Sequence, residues 1–247
     1  MGRKYHLIAI IPLLERYHMA AIFRNRYDAG RHLATLLGRY ANRGDVLVLA
    51  VSTDGVQVAY EVAASLDCPL DLFSVRKLTA PGREDTAMGA IAWGGVVVLN
   101  SAVVQALQLS REVIDEVVGR QERELERGEF TYRAGRPAHD VFDRTVILVD
   151  DGIATGSTIR AAIRALQIGQ PARVVVGVPV ASPESRDALQ IEADEVICLA
   201  APHPLHEIGR WYEDYTPLSD QQICDLLRRA KQPQFAAPAW ASYSSAM

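Results

Sequence analysis

The sequence is poor in the features that most readily narrow a protein's role. Its 247 residues hold three cysteines, Cys68, Cys198 and Cys224, widely separated and without the CxxC or Cys/His spacing of a zinc site or redox pair. They read as buried, reduced thiols of a cytoplasmic protein. An excess of positive charge is also missing: 26 Lys and Arg against 30 Asp and Glu leave a net charge of −4. No broad cationic field is therefore available for nucleic acid or an anionic membrane, and neither is expected as a partner. No run approaches the roughly 20 apolar residues of a membrane helix. The apolar segment 7–14 is broken by Pro12 and followed by Glu15 and Arg16 rather than by a small-residue cleavage site, so it reads as an extra strand or arm. An anion bound by this chain has to be held locally.

What is present is an ordinary globular composition, 49% hydrophobic and 23% charged, with α/β alternation. Residues 46–51 (VLVLAV) form an unbroken apolar run, as in a strand covered on both faces of a parallel sheet. Asp54 and Gln57 have the spacing of a capping box, and Val58, Val62 and Leu66 continue as a helical stripe. A short strand at 71–75 completes a βαβ unit. Between 77 and 100 the texture changes to Pro81-Gly82, a small-residue stretch, Gly94-Gly95 and the β-rich 96–99, which predicts a hairpin excursion. Ser110 caps a charged helix reaching about Arg127, with Val113, Ile114, Val117, Val118 and Leu125 inward. Residues 128–144 lack periodicity and read as a long loop, a length that is usually functional.

Alternation then resumes, with strand 146–149, helix 158–168, strand 173–180, helix 184–191, strand 195–199 and a last helix opened by Ser219 and Asp220 and running to about Lys231. The expected fold is α/β, a mainly parallel twisted sheet flanked by helices with a small hood or hairpin subdomain. The expected organisation is an extension over 1–20, a domain over 21–231 and a loose tail over 232–247.

The most informative stretch is VILVDDGIATGST at 146–158. Four apolar residues deliver Asp150 and Asp151 to the carboxyl end of a buried strand, where open α/β sheets bind ligands. Gly152, Gly156 and the hydroxyls of Thr155, Ser157 and Thr158 follow, just before a helix with apolar Ile159, Ala162, Ile163 and Leu166. Amides at a helix start, with flanking hydroxyls, cradle a phosphate monoester. The carboxylates would repel phosphate, and suit neutral hydroxyls or a divalent cation instead. A phosphate beside a vicinal diol describes ribose 5-phosphate. The bland alternative is a turn followed by a helix cap. A P-loop NTPase is disfavoured because no GxxxxGK[ST] occurs. A receiver-like domain is disfavoured because the next strand ends Val180-Ala181-Ser182 without an aspartate.

That stretch resembles the PRPP-binding motif of type I phosphoribosyltransferases. The similarity continues, toward the bacterial predicted phosphoribosyltransferases sometimes fused to hydrolase domains, through FRNRYDAGRHLA (23–34), GVQVAYEVA (55–63), PLDLFSVRKL (69–78), YRAGRP (132–137), PARVVVGVPVA (171–181) and IGRWYEDY (208–215). The first 20 residues lie outside it, and Met19 is a second candidate start. The resemblance implies a type I phosphoribosyltransferase-like core, likewise a homo-oligomer, acting in nucleotide metabolism on 5-phosphoribosyl-1-pyrophosphate (PRPP) with Mg2+ as cofactor. By similarity Asp150 and Asp151 take the ribose hydroxyls and the PRPP-borne metal, while Gly152, Ile153, Ala154, Thr155, Gly156, Ser157 and Thr158 hold the 5-phosphate. Pyrophosphate falls to the turn with Thr53, Asp54 and Gly55, to Arg76 and Lys77 at a strand end, and to Arg133 and Arg136 on the loop as a closing lid. Trp211 and Tyr212 are candidates to stack on a base-like or other small acceptor, or to pack against the sheet. One departure stands out: relatives have a Pro-Arg-Gly-Gly-like pyrophosphate turn where this chain has Ser52-Thr53-Asp54-Gly55. A transferase, a non-catalytic PRPP or nucleotide sensor, and a phosphoribosyl hydrolase all remain open at this point.

Overall fold

The structure, a computed structural model, describes residues 21–92, 95–133 and 140–230, without the side chains of Glu84, Asp85, Glu129 and Arg133. The expected extension over 1–20 and the tail over 232–247 lie outside the described residues.

The first helix of the described residues is one that the periodicity did not announce, α1 (Arg26–Leu36), started by Asn25, whose side chain accepts from the Asp28 amide. Strand β1 (Val46–Ala50), helix α2 (Val56–Leu66) and strand β2 (Leu70–Leu72) form the predicted βαβ unit. An antiparallel sheet of β3 (Val75–Ala80), β4 (Arg83–Ala92) and β5 (Val96–Leu99) follows, then α3 (Ser101–Ala106) and the long α4 (Arg111–Arg133). The chain returns through β6 (Thr145–Val149), α5 (Ser157–Ile168), β7 (Arg173–Val180), α6 (Pro183–Glu192), β8 (Glu195–Ala200) and α7 (Asp220–Arg229).

The main sheet has five strands in the order β2-β1-β6-β7-β8, with every pairing parallel. Its inner strands are apolar without interruption because both faces are covered. Val46, Val48, Ala50, Ile147 and Val149 pack toward α2 and α7. Leu47, Leu49, Val146 and Leu148 pack toward α5 with Ile159, Ile163 and Leu166. Each of the Val, Leu and Ile side chains contributes about 1.5–3 kcal/mol by leaving water. The fold class is therefore the expected one, and the hood has its own small core of Leu78, Met88, Ile91, Val117 and Leu125.

Three expectations are corrected here. The capping box from Asp54 to Gln57 does not form: α2 begins at Val56, and Ser52 Oγ, not Asp54, accepts from the Gly55 amide. Residues 128–133 are helical, because α4 runs past Arg127, so Arg133 ends a helix and is not a loop residue. Arg76 and Lys77 do not end the second parallel strand. They lie within β3 of the antiparallel hood, both exposed.

The strand order places the site. The chain steps from β1 to β2 on one side, while β6 pairs with the other side of β1. The carboxyl ends of β1 and β6 thus meet at the reversal of winding, where open α/β sheets leave a crevice.

Candidate functional site

Asp150 and Asp151 leave the end of β6 already buried, at 9% and 4% exposure. Each is held through one oxygen. Asp150 Oδ1 accepts from Ser52 Oγ at 2.5 Å and from the Asp151 amide at 3.0 Å. Asp151 Oδ2 accepts from Arg26 Nε at 2.9 Å and from the Tyr215 hydroxyl at 2.8 Å. Among the described residues nothing donates to Asp150 Oδ2 or Asp151 Oδ1. Two adjacent carboxylates thus each keep an acceptor that the fold leaves unused.

Burial, and then the Asp151 carboxylate, push the Asp150 carboxyl up to about 7. Burial also raises Asp151, against the opposing pull of the Tyr215 hydroxyl and the Arg26 guanidinium. Burial and then the charge of Asp151 raise the Tyr212 and Tyr215 phenols, so both hydroxyls stay donors. Tyr212 donates to the Asp151 carbonyl at 2.5 Å.

Downstream, the loop is anchored and then released. Ile153 bridges Ala181, its amide donating to Val180 O at 2.8 Å. The Ala154 carbonyl accepts from Ser182 Oγ at 2.9 Å and Ser185 Oγ at 2.7 Å. Thr155 is exposed, its hydroxyl 3.0 Å from that of Ser157. Gly156 has φ of 71°, a left-handed conformation costly for other residues, and from it α5 starts with no side-chain cap. The starts of α1, α3, α6 and α7 are instead closed by Asn25, Asn100, Ser182 and Ser219.

The turn over 52–55 lies against the same carboxylate. A Cβ on Gly55 would meet Asp150 Oδ1 at 2.7 Å and its Cα at 2.9 Å, so only glycine allows this approach. Ser52 spends its hydroxyl on Asp150 and on the Gly55 amide. Asp54, 55% exposed, stands 3.6 Å from Arg26 Nη2.

Of the expected site residues, the structure gathers Asp150, Asp151, Gly152, Ile153, Ala154, Thr155, Gly156, Ser157 and Thr158 with Thr53, Asp54 and Gly55 at one crevice. Arg76 and Lys77 make no ion pair or hydrogen bond to it. The Arg133 side chain and Arg136 lie outside the described residues. Of the two acceptor candidates, Tyr212 takes the packing role, 5% exposed with its ring against Phe23 and Tyr215, while Trp211 is half-buried with Nε1 donating to the Leu205 carbonyl at 2.9 Å. Arg26, Ser52 and Tyr215 were missed. Arg26 left a signal, since a basic residue opening a helix opposes the macrodipole and needs another reason to be there.

A divalent cation suits the two unused carboxylate oxygens, which are hard donors. Among the described residues no group of three or more His, Cys, Asp or Glu side chains could hold a metal, so a cation here would take its remaining oxygens from a ligand or water. No helix among the described residues is long and apolar enough to cross a membrane.

The comparisons with known proteins agree with this geometry. The chain belongs to the phosphoribosyl transferase domain family, whose model matches residues 18–209. It is 39% identical over 209 residues to the Mycobacterium tuberculosis H37Rv protein named "Putative phosphoribosyl transferase Rv0571c", and equally to its counterpart MT0597 in strain CDC 1551. That match takes in 85% of this chain and 47% of the relative, so the chain spans about half the relatives' length. The crystal structure of TT1426 from Thermus thermophilus superposes with a TM-score of 0.75 at 36% identity, covering 83% of this chain and 97% of that one.

Proposed function

We propose that the chain is a phosphoribosyltransferase that takes Mg2+-bound PRPP as donor and a base-like or other small nucleophile as acceptor. The observation that carries this reading is the juxtaposition of an uncapped helix start with two carboxylates, each retaining a free oxygen. The α5 amides with Thr155, Ser157 and Thr158 receive the 5-phosphate. Asp150 Oδ2 and Asp151 Oδ1 accept from the ribose hydroxyls or meet the metal that PRPP carries. Mg2+ would neutralise the pyrophosphate and improve it as a leaving group. As C1 loses pyrophosphate, positive charge grows on the ribose ring, and the nearby carboxylates stabilise it. No side chain has to move a proton at C1. Catalysis is then mostly positioning and charge complementarity.

The test is pyrophosphate release from Mg2+-PRPP with a pool of bases and small metabolites. Turnover that Asp150→Asn abolishes supports a transferase. Release that needs no acceptor points to the hydrolase. The sensor has a specific observation in its favour, since the 52–55 turn spends Ser52 inside the protein and presents Asp54 where a cation would serve pyrophosphate better. On that reading PRPP binds without turnover, and activity appears only after Thr53→Arg with Asp54→Gly.

A further inference from the structure

Asp54 poses a difficulty for a site that takes a polyanion, because an unneutralised carboxylate beside pyrophosphate repels it. Arg26 offers the answer. It is 2% exposed, and every arm of its guanidinium is assigned. Nε donates to Asp151 Oδ2 at 2.9 Å, Nη1 donates to the Thr216 carbonyl at 3.2 Å, and Nη2 lies 3.6 Å from Asp54 Oδ1. Its centre sits 3.7 Å from the Tyr215 ring centroid, a cation–π contact that fixes the plane of the fork. Tyr215 donates into the same Asp151 oxygen. One buried cation therefore touches both the carboxylate proposed for ribose and the carboxylate of the turn.

We propose that Arg26 is a positioning residue that holds Asp151 and, at the same time, draws Asp54 aside so that a pyrophosphate-bearing ligand can share the site with it. The proposal rests on the reading that the crevice takes PRPP. Its first effect is orientation: with Oδ2 held by two donors, Asp151 presents Oδ1 to the ligand. Its second is charge: Asp54 is exposed and able to swing, and the guanidinium is the ion-pair partner that draws it toward α1. Burying a guanidinium at a helix start costs desolvation and opposes the helix dipole, so packing alone would favour an apolar residue there.

The two effects separate by ligand. Ribose 5-phosphate feels the orientation alone, whereas Mg2+-PRPP feels both. Calorimetric titration of the purified full chain should show Arg26→Gln weakening ribose 5-phosphate about tenfold and Mg2+-PRPP about a hundredfold. Adding Asp54→Asn to Arg26→Gln should recover about tenfold for PRPP and nothing for ribose 5-phosphate. Arg26→Lys, which keeps the charge and loses the fork, should weaken both ligands while holding their affinity ratio near the wild-type value. This last variant decides the matter if Arg26→Gln does not fold. Equal weakening of both ligands by Arg26→Gln with no recovery from Asp54→Asn, or a shifted ratio in Arg26→Lys, overturns the proposal. Wild-type protein that binds ribose 5-phosphate and not PRPP overturns it while leaving the phosphate site standing. Wild-type protein that binds neither overturns both.

Discussion

The turn after β1 and the loop after β6 lie side by side at one crevice, yet they treat their polar groups in opposite ways. The turn is closed on itself: Ser52 bonds Asp150 and the Gly55 amide, and Asp54 stands by Arg26. The loop is tied down at Ile153 and Ala154 and then left open, with an exposed Thr155 and no cap on α5. A phosphate docking on the second would exchange the exposed Thr155–Ser157 contacts, at 3.0 and 3.5 Å, for its own. A ligand group at the first has to compete with bonds already made. On the proposed function, the ribose 5-phosphate half of the site would need little rearrangement, and the other half would depend on how Arg26 and Ser52 hold the turn.

The largest expected effect breaks both halves at once. Asp150→Asn removes a charge that both regions touch, and should lower affinity for Mg2+-PRPP by about a hundredfold or more in calorimetric titration. Next is Gly55→Ala, whose Cβ would collide with the Asp150 backbone and carboxylate. It should cost about 2 kcal/mol in denaturant unfolding and weaken PRPP more than ribose 5-phosphate, because it moves the turn and not the loop.

The same Asp150→Asn change sharpens the comparison through pH. The Asp150 carboxyl is raised from 3.8 to about 7, so the folded protein binds this proton more tightly than the unfolded chain. Its contribution to stability is complete below about pH 4 and is lost as pH rises through about 7. Asp150→Asn should therefore melt on the order of 5 °C higher than wild type at pH 8, with the gap closing toward pH 4. A gain in stability joined to a loss of binding is what a buried functional carboxylate predicts. The smallest effect concerns the turn. Ser52→Ala, which removes the hydroxyl bonded to Asp150 and the Gly55 amide, should cost about 1 kcal/mol, while Asp54→Ala, whose ion pair with Arg26 is half exposed, should change unfolding by less than about 0.5 kcal/mol.

Where burial on both sides leaves a plain trace, the sequence was readable. The runs at 46–51 and 174–180 are short, β-branched and apolar as inner strands are, and the loop at 150–158 carries its chemistry within one contiguous stretch. Failures arose where contacts are long-range. Arg26, Ser52 and Tyr215 reach Asp150 or Asp151 from three separate segments, and no local spacing encodes those meetings. Asp54 and Gln57 have the right spacing for a capping box, but Gly55 against Asp150 sets where α2 begins, so tertiary packing overrode the local signal. Residues 128–133 lack an apolar stripe, yet they continue α4, with Tyr132 hydrogen-bonding Asp220 of α7 at 2.7 Å.

The central claim is that the loop after β6 is a preformed site for the phosphate end of a phosphorylated ribose. Its most direct test is titration of wild-type protein with ribose 5-phosphate, followed by Thr155→Ala with Ser157→Ala. Saturable binding is expected, weakened about tenfold by the double substitution with the melting temperature unchanged. Absence of binding, or binding indifferent to both hydroxyls, would contradict it.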